Sequence, residues 1–528
     1  MQLFLTFLAY TLFVAVYSYF KLRKETLTSH EGYFLGGRSL TGVVIAGSML
    51  LTNISTEHLI GMNGSSYKNG FIIIAWEVTS ALALILTAVY FVPKYLKMGL
   101  TTIPQFLENR FDGLTRSLVA FFLMISFIVT LLPIVLYTGA INLESIFNVS
   151  ELLDVSQEHG MNITIWAIGL IGSLYAIFGG LKAVAVSDTL NGYGLLVGGL
   201  AIPFSALLSI GEGNPMDGLS MVYQHAPEKF NVIGAKDSVM PFEVLFTGLI
   251  INQIYFWCMN QMIIQRALGA KNLKEAQKGL LLTALLKILV PSIIILPGVI
   301  GFYYYGDLFY DRQDMIYPEL IKKVLPVSFV GIFAAVVMGA VLSTFNSVLN
   351  SAATIFSIDI FKRHINSQVS DTQLVKVGKI TSAVLALFAI IVAPLVANAP
   401  DGLYQLLQQL NGIFFIPIAS IMLAGFFLPK ISALAAKAAL LIGLAFYIGC
   451  TFIFKVDLHF VHIWGIEFIL NMSVMGLISY YIPNKKPFKI KDLQIVEMKG
   501  WNYTKSFSAF LVLATLLIYV LLGNFSIY

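Results

Sequence analysis

Residues 47–64 read GSMLLTNISTEHLIGMNG, which crowds Asn53, Ser55, Glu57 and His58 into an otherwise apolar run bracketed by Gly47, Gly61 and Gly64. An amide, a hydroxyl, a carboxylate and an imidazole so placed can hydrogen-bond a polar solute. If the helix breaks among them, its freed carbonyls can also coordinate a cation, while freed N–H groups meet the solute. The same residues also suit an unbroken polar helix whose side chains satisfy one another against neighbours. Enzymatic chemistry has no support, because no nucleophile, metal-ligand cluster or phosphate loop accompanies His58 and Glu57.

More such groups follow. IIIAWEVTSALALIL (72–86) carries Glu77 and Ser80 on nearby faces, and LLTALLKILVPS (281–292) carries Lys287 four residues before Pro291. A carboxylate at membrane depth needs a partner. Lys287 is of the right kind, although taken alone it can equally snorkel to the membrane face. LIINQIYFWCMNQ (249–261) sets Asn252, Gln253 and Asn260 beside Tyr255, Phe256 and Trp257. Aromatic faces stack on the C–H faces of a sugar while amides take its hydroxyls; an interfacial aromatic belt has the same composition. MGAVLSTFNSVLNSAATIF (338–356) repeats Ser343, Thr344, Ser347 and Ser351 among Gly339, Ala340 and Ala352. Small and hydroxyl residues make packing seams between membrane helices, and hydroxyls opposite freed carbonyls also make an all-oxygen cage for a hard cation such as sodium.

These groups must be positioned by a chain of 528 residues that is 58% hydrophobic and only 12% charged, about half the charged share usual for a soluble domain. Apolar runs near the ~20 residues needed to cross hydrocarbon recur from end to end, so the lipid bilayer is the solvent for most side chains. The chain is one membrane bundle. Charged or Gly/Pro breaks predict fourteen spans, beginning near residues 2, 40, 70, 116, 162, 186, 241, 278, 328, 374, 402, 435, 458 and 506. The first, Leu3 to Phe20, has no basic stretch before it and no small-residue cleavage site, and reads as a retained helix. Cys258 and Cys450 lie inside apolar runs and define no disulfide framework.

The formal net charge of +5 does not imply a nucleic-acid partner, because basic residues in a membrane protein chiefly set orientation. With fourteen crossings, every Lys and Arg falls on one face except Lys68, Lys229, Lys236, Arg312, Lys322, Lys323, Lys455 and the mid-span Lys287. That face is then cytoplasmic and both termini lie outside, periplasmic at a bacterial inner membrane. The two polar, interrupted spans are the second and seventh, five apart and of opposite orientation. This predicts two five-helix halves, residues 40–212 and 241–430, forming an inverted repeat with its site at the midplane. Residues 1–39 and 431–528 are then peripheral, and Glu467 has no role in the scheme.

Five ordered motifs, EGYFLGGRSL (31–40), NISTEHLIGMNG (53–64), YAIFGGLKAV (175–184), QMIIQRALGAK (261–271) and LNSAATIFSIDIF (349–361), resemble at matching spacing the solute:sodium symporter family. Within it they are most similar to the sodium/glucose and sodium/galactose branch, from about Gly32 to Lys430. The resemblance implies an all-α polytopic membrane protein, a LeuT-like five-plus-five inverted repeat within about 14 transmembrane helices. It also implies sodium-driven uptake of a sugar, galactose or glucose or a relative, by a functional monomer.

By the same resemblance, carbonyls of Leu51, Ile54 and Ala340 with hydroxyls of Ser343 and Thr344 hold the sodium, and Asp188 lies on its intracellular route. Asn53, His58, Glu77, Ser80, Lys287 and Gln408 contact the sugar, with Gln253, Phe256 and Trp257 around it. Three positions depart from the family pattern. Leu131 stands at a polar contact, Gln253 replaces a shorter polar residue, and Phe256 stands where a tyrosine commonly closes the inner gate. The sugar is thereby left open, with inositol or a sialic acid as alternatives. A sensor would need a signalling domain larger than residues 483–505, and a channel would not need Glu77 and Lys287.

Overall fold

The computed structural model describes residues 2–22, 28–398, 403–484 and 488–527; the basic residues Arg23, Lys24, Lys485 and Lys486 lie outside these. Its regular structure is helical, with only isolated bridges such as Leu40 to Ala270 and Asn272 to Glu497. Hydrocarbon imposes this, because a helix satisfies its backbone polar groups within one segment. Twelve helices among the described residues are long and apolar enough to cross a membrane. Two shorter apolar ones, Gly42–Asn53 and Gly248–Met259, begin the two spans predicted to be interrupted.

In chain order come α1 (Gln2–Leu22), α2 (Gly42–Asn53), α3 (57–69), α4 (70–97), α5 (Gly113–Phe147), α6 (Gln157–Ile177) and α7 (Gly179–Ile210). Then come α8 (Gly248–Met259), α9 (Gln261–Leu268), α10 (Leu273–Tyr305), α11 (Val327–Ile365), α12 (Asp371–Ala397) and α13 (Leu403–Phe427). Last are α14 (Ala433–Ile453), α15 (Phe460–Tyr481) and α16 (Thr504–Leu522). Joined across their breaks, α2 with α3 and α8 with α9, these segments make the fourteen spans read from the sequence.

Two turns require glycine. Gly70, between α3 and α4, has φ +73°, and a Cβ there would lie 2.4 Å from the Lys229 carbonyl oxygen. Gly180, at the start of α7, has φ 57° and ψ −168°, and a Cβ would lie 2.6 Å from the Tyr33 carbonyl oxygen. Side chains avoid that backbone region, whereas glycine enters it freely.

Close approach of side chains, rather than transfer out of water, holds helices together in lipid. α11 packs on α1, α7 and α12, and both α2 and α3 pack on α10. α1 and α16 are outermost, with Leu12 60% and Val520 74% exposed, faces that a bilayer covers. Residues 488–503 form a strap across one end of the bundle. Leu493 N donates to the Lys97 carbonyl (2.8 Å), Leu273 N to the Glu497 carbonyl (3.0 Å) and Trp501 N to Gln277 Oε1 (2.8 Å). The strap thus pins the ends of α4 and α10, the helices that carry Glu77 and Lys287.

Candidate functional site

Both interrupted spans break at their polar residues. Beyond Asn53 the backbone at Ile54 is extended (φ −86°, ψ 94°), and α3 restarts with Glu57 and His58. The last turn of α2 is left with carbonyls that have no intrahelical donor; that of Thr52 accepts the Thr344 hydroxyl at 2.9 Å. α8 ends in a widened turn over Tyr255–Met259, after which Asn260 is extended (φ −70°, ψ 121°). Its Oδ1 caps α9 by accepting from Met262 N at 3.0 Å.

The two breaks face one cavity. Thr52, Asn53, Glu57 and His58 line it from one side and Asn252, Gln253, Phe256, Trp257 and Asn260 from the other. Trp76, Glu77, Lys287, Tyr404, Gln408 and Asn411 complete the polar and aromatic wall. Lys287 is the cavity's cation. Its ammonium donates to Glu77 Oε2 and, at 2.6 Å, to Asn53 Oδ1, and lies 5.4 Å from the Trp257 ring centroid. It is 1% exposed, so it pairs and does not snorkel. The His58 ring stands between two carboxylates, Nδ1 3.6 Å from Glu57 Oε1 and Nε2 3.8 Å from Glu77 Oε1.

Of the residues expected to meet the solute, Asn53, His58, Glu77, Gln253, Phe256, Trp257, Lys287 and Gln408 all line this cavity. Ser80 does not: its hydroxyl donates back to the Glu77 carbonyl within its own helix. Gln253 is there but committed. Its amide donates to the Trp76 carbonyl (2.7 Å) and Thr79 Oγ1 (3.1 Å) and accepts from Trp257 Nε1 (3.1 Å), joining α8 to α4. Leu131 contributes an apolar patch to the wall.

Tyr404, Trp76 and Asn411 are among the wall residues that the sequence reading did not single out. Tyr404 stacks edge-on to His58 (5.3 Å) and Trp76 (5.8 Å), and its hydroxyl accepts from Gln408 Nε2 at 2.8 Å. On the same helix, Gln405 and Gln409 line a separate opening with Lys455 and His459. Trp76 Nε1, Asn252 Oδ1, Asn260 Nδ2 and Asn411 Oδ1 are buried without hydrogen-bond partners, and all four residues line the cavity. The sequence signal for Asn411 was available: an amide inside an apolar span.

The residues expected to hold sodium lie at the end of α2 and on α11, where the Thr344 hydroxyl donates to the Thr52 carbonyl and Ser343 lines a separate space with Asp188 and Asn191. Leu51, Ile54 and Ala340 are fully buried, and Ser343 and Thr344 are each 1% exposed. Thr52 Oγ1 and Ser347 Oγ lie 3.1 Å apart, tying the two helices through hydroxyls. Ser343 Oγ is buried with no hydrogen bond of ordinary geometry, facing the Asp188 carboxylate. Neutral carbonyl and hydroxyl oxygens suit a hard cation. Behind them Asp188 accepts from Ser48 Oγ (2.7 Å) and lies 3.8 Å from Arg266, a fully buried guanidinium that also donates to Ser48 and Ser347.

A family model described as sodium:solute symporter family matches residues 33–443. An uncharacterized symporter, YidK of Escherichia coli (strain K12), is 46% identical over 99% of this chain and 91% of its own length. A sodium/glucose cotransporter of Vibrio parahaemolyticus is 33% identical over 78% of each chain. Among solved structures, a sodium-coupled sialic acid symporter superposes with a TM-score of 0.78 at 20% identity, covering 93% of this chain and 99% of that one. At that identity the likeness concerns the fold, which is LeuT-like.

Proposed function

Because the chain belongs to the sodium:solute symporter family, a family of transporters, and sodium is its co-transported ion, we propose that its solute is an uncharged monosaccharide. The observation that carries this is the cavity wall between the two broken spans. Unpartnered amide and indole groups of Trp76, Asn252, Asn260 and Asn411 converge there with the aromatic faces of Phe256, Trp257 and Tyr404. A solute with many hydroxyls and apolar C–H faces satisfies both sets at once. The sodium/glucose relative supports the same class. An acidic solute such as a sialic acid fits less well. Among the described residues no arginine lines the cavity, and the one lysine that does is already held by Glu77, leaving the solute's carboxylate against Glu57 and Glu77.

In this reading Lys287, Glu77, Asn53, His58 and Gln408 exchange their present contacts for sugar hydroxyls, and Tyr404 and Trp76 cover the sugar. Gln253 acts by holding α8 on α4. Sodium held by Leu51, Ile54, Ala340, Ser343 and Thr344 keeps α2 against α11, and that closure shapes the solute wall, because Thr52 and Asn53 belong to the same broken turn. Asp188 and Arg266 lie on the inner ion route. The halves 40–212 and 241–430 alternate access around the fixed site. The protein works as a monomer in a bacterial inner membrane with both termini outside. At ~100 mV one charge contributes ~2.3 kcal/mol and a tenfold sodium gradient ~1.4 kcal/mol, together sustaining roughly 500-fold accumulation at one ion per sugar.

The test is uptake into proteoliposomes of labelled glucose, galactose, myo-inositol and sialic acid, with and without an inward sodium gradient. Sodium-dependent uptake of a neutral sugar is the expected result. Sodium-driven uptake confined to sialic acid would overturn the solute class while leaving the coupling intact.

A further inference from the structure

Apart from tyrosine, four residues lining the cavity are ionisable: Glu57, His58, Glu77 and Lys287. Glu77 is neutralised by Lys287, and Asp188, behind the sodium ligands, has Arg266 at 3.8 Å. Glu57 is different. It is 3% exposed, accepts a hydrogen bond from the Ser55 hydroxyl, and has no lysine or arginine within 4 Å among the described residues. The basic group beside it is His58, whose Nδ1 is 3.6 Å away. The cavity wall thus sets two carboxyl groups against one lysine at membrane depth, with a histidine as the remaining basic group, and an unpaired charge there is costly.

The sodium cluster has the complementary defect. Its five proposed ligands are carbonyls and hydroxyls, with no carboxylate among them. Thr344 lines the same cavity as Glu57, and Glu57 opens α3 only three residues beyond Ile54. We propose that Glu57 is the countercharge of the co-transported sodium: a positioning residue that is not a ligand and acts on the ion by field across the break. The ion relieves the buried charge of Glu57, and Glu57 raises the ion's affinity for a site built of neutral oxygens.

This rests on the sodium ligands proposed above, and the experiment separates the two. The purified full-length chain is titrated with sodium chloride at constant ionic strength, balanced by choline chloride, at pH 8, where an ordinary imidazole is neutral. The melting temperature is the readout. In Glu57→Gln the sodium concentration giving half the stabilisation rises by about tenfold or more, as expected for one lost charge in a medium of low dielectric; in Glu57→Asp it stays within about threefold of the parent chain. A merely structural role would shift the sodium-free melting temperature of either variant without moving the sodium midpoint. A Glu57→Gln chain that binds sodium like a responsive parent overturns this proposal alone. A parent chain with no sodium response, or one unaffected by Ser343→Ala with Thr344→Ala, overturns the ligand assignment and this proposal with it.

Discussion

Lys287 and Glu77, 210 residues apart on α10 and α4, close an ion pair inside the bundle with both side chains no more than 2% exposed. The pair joins the two halves of the chain, and the strap of residues 488–503 fixes the ends of the same two helices. A buried pair gains little over a well-packed apolar pair, yet breaking it is expensive, because the remaining charge stays buried. Lys287→Met alone is therefore expected to destabilise the chain by about 3–5 kcal/mol. Lys287→Met with Glu77→Gln should recover most of that stability and still show no sodium-driven uptake. Thermal unfolding alongside proteoliposome uptake checks both halves; a double variant as unstable as the single would show that the helices depend on the pair itself.

Ser343→Ala combined with Thr344→Ala removes two proposed sodium ligands and the hydrogen bond from Thr344 to the Thr52 carbonyl. The sodium needed for half-maximal uptake should rise at least tenfold, while the sodium-free chain loses only about 1 kcal/mol of stability from the missing hydrogen bond. Sodium dependence measured at saturating solute distinguishes this from a loss of solute binding.

Tyr404→Phe keeps the ring against His58 and Trp76 but removes the acceptor of the Gln408 amide. Solute half-saturation should rise by about two- to tenfold, the worth of one hydrogen bond, with the sodium midpoint unchanged. Tyr404→Ala, which also removes the ring from the cavity wall, should weaken the solute further. Equal effects of the two variants would mean that the ring does no covering.

Gly70→Ala places a methyl 2.4 Å from the Lys229 carbonyl oxygen at φ +73°, and should cost well over 1 kcal/mol. Gly476→Ala on α15 meets no atom within 4 Å and should leave the melting temperature unchanged or slightly raised. The contrast between the two isolates the turn from glycine content as such.

Gln277→Ala removes the acceptor of Trp501 N and Thr504 Oγ1 and the donor to the Ala88 carbonyl. Loss of the strap's anchor is expected to lower stability by about 1–3 kcal/mol and to leave the sodium midpoint in place, since the sodium cluster lies on other helices.

Composition and the placement of polar residues within apolar runs predicted fourteen spans, the second and seventh of them interrupted; the structure set the breaks at Ile54 and Asn260. Those features are local: in hydrocarbon, each polar side chain or interrupted turn carries its own desolvation cost, so its position in sequence is its position in the membrane. The ordered motifs indicated the family and eight residues that line the cavity, Asn53, His58, Glu77, Gln253, Phe256, Trp257, Lys287 and Gln408. What a side chain faces is not local, because helix rotation and tilt are set by packing against other helices. That is why Lys287 read equally as a snorkelling residue until the fold brought Glu77 to it. For the same reason Trp76, Tyr404 and Asn411 went unread, and Gln253, expected to meet the solute, proved to be tied to Trp76, Thr79 and Trp257. Ser80 fell outside the wall because a hydroxyl one turn on from a helical carbonyl can satisfy itself there. That Glu57 has no lysine or arginine within 4 Å among the described residues likewise emerged only from the tertiary structure, since which side chains are paired depends on helices far apart in the chain.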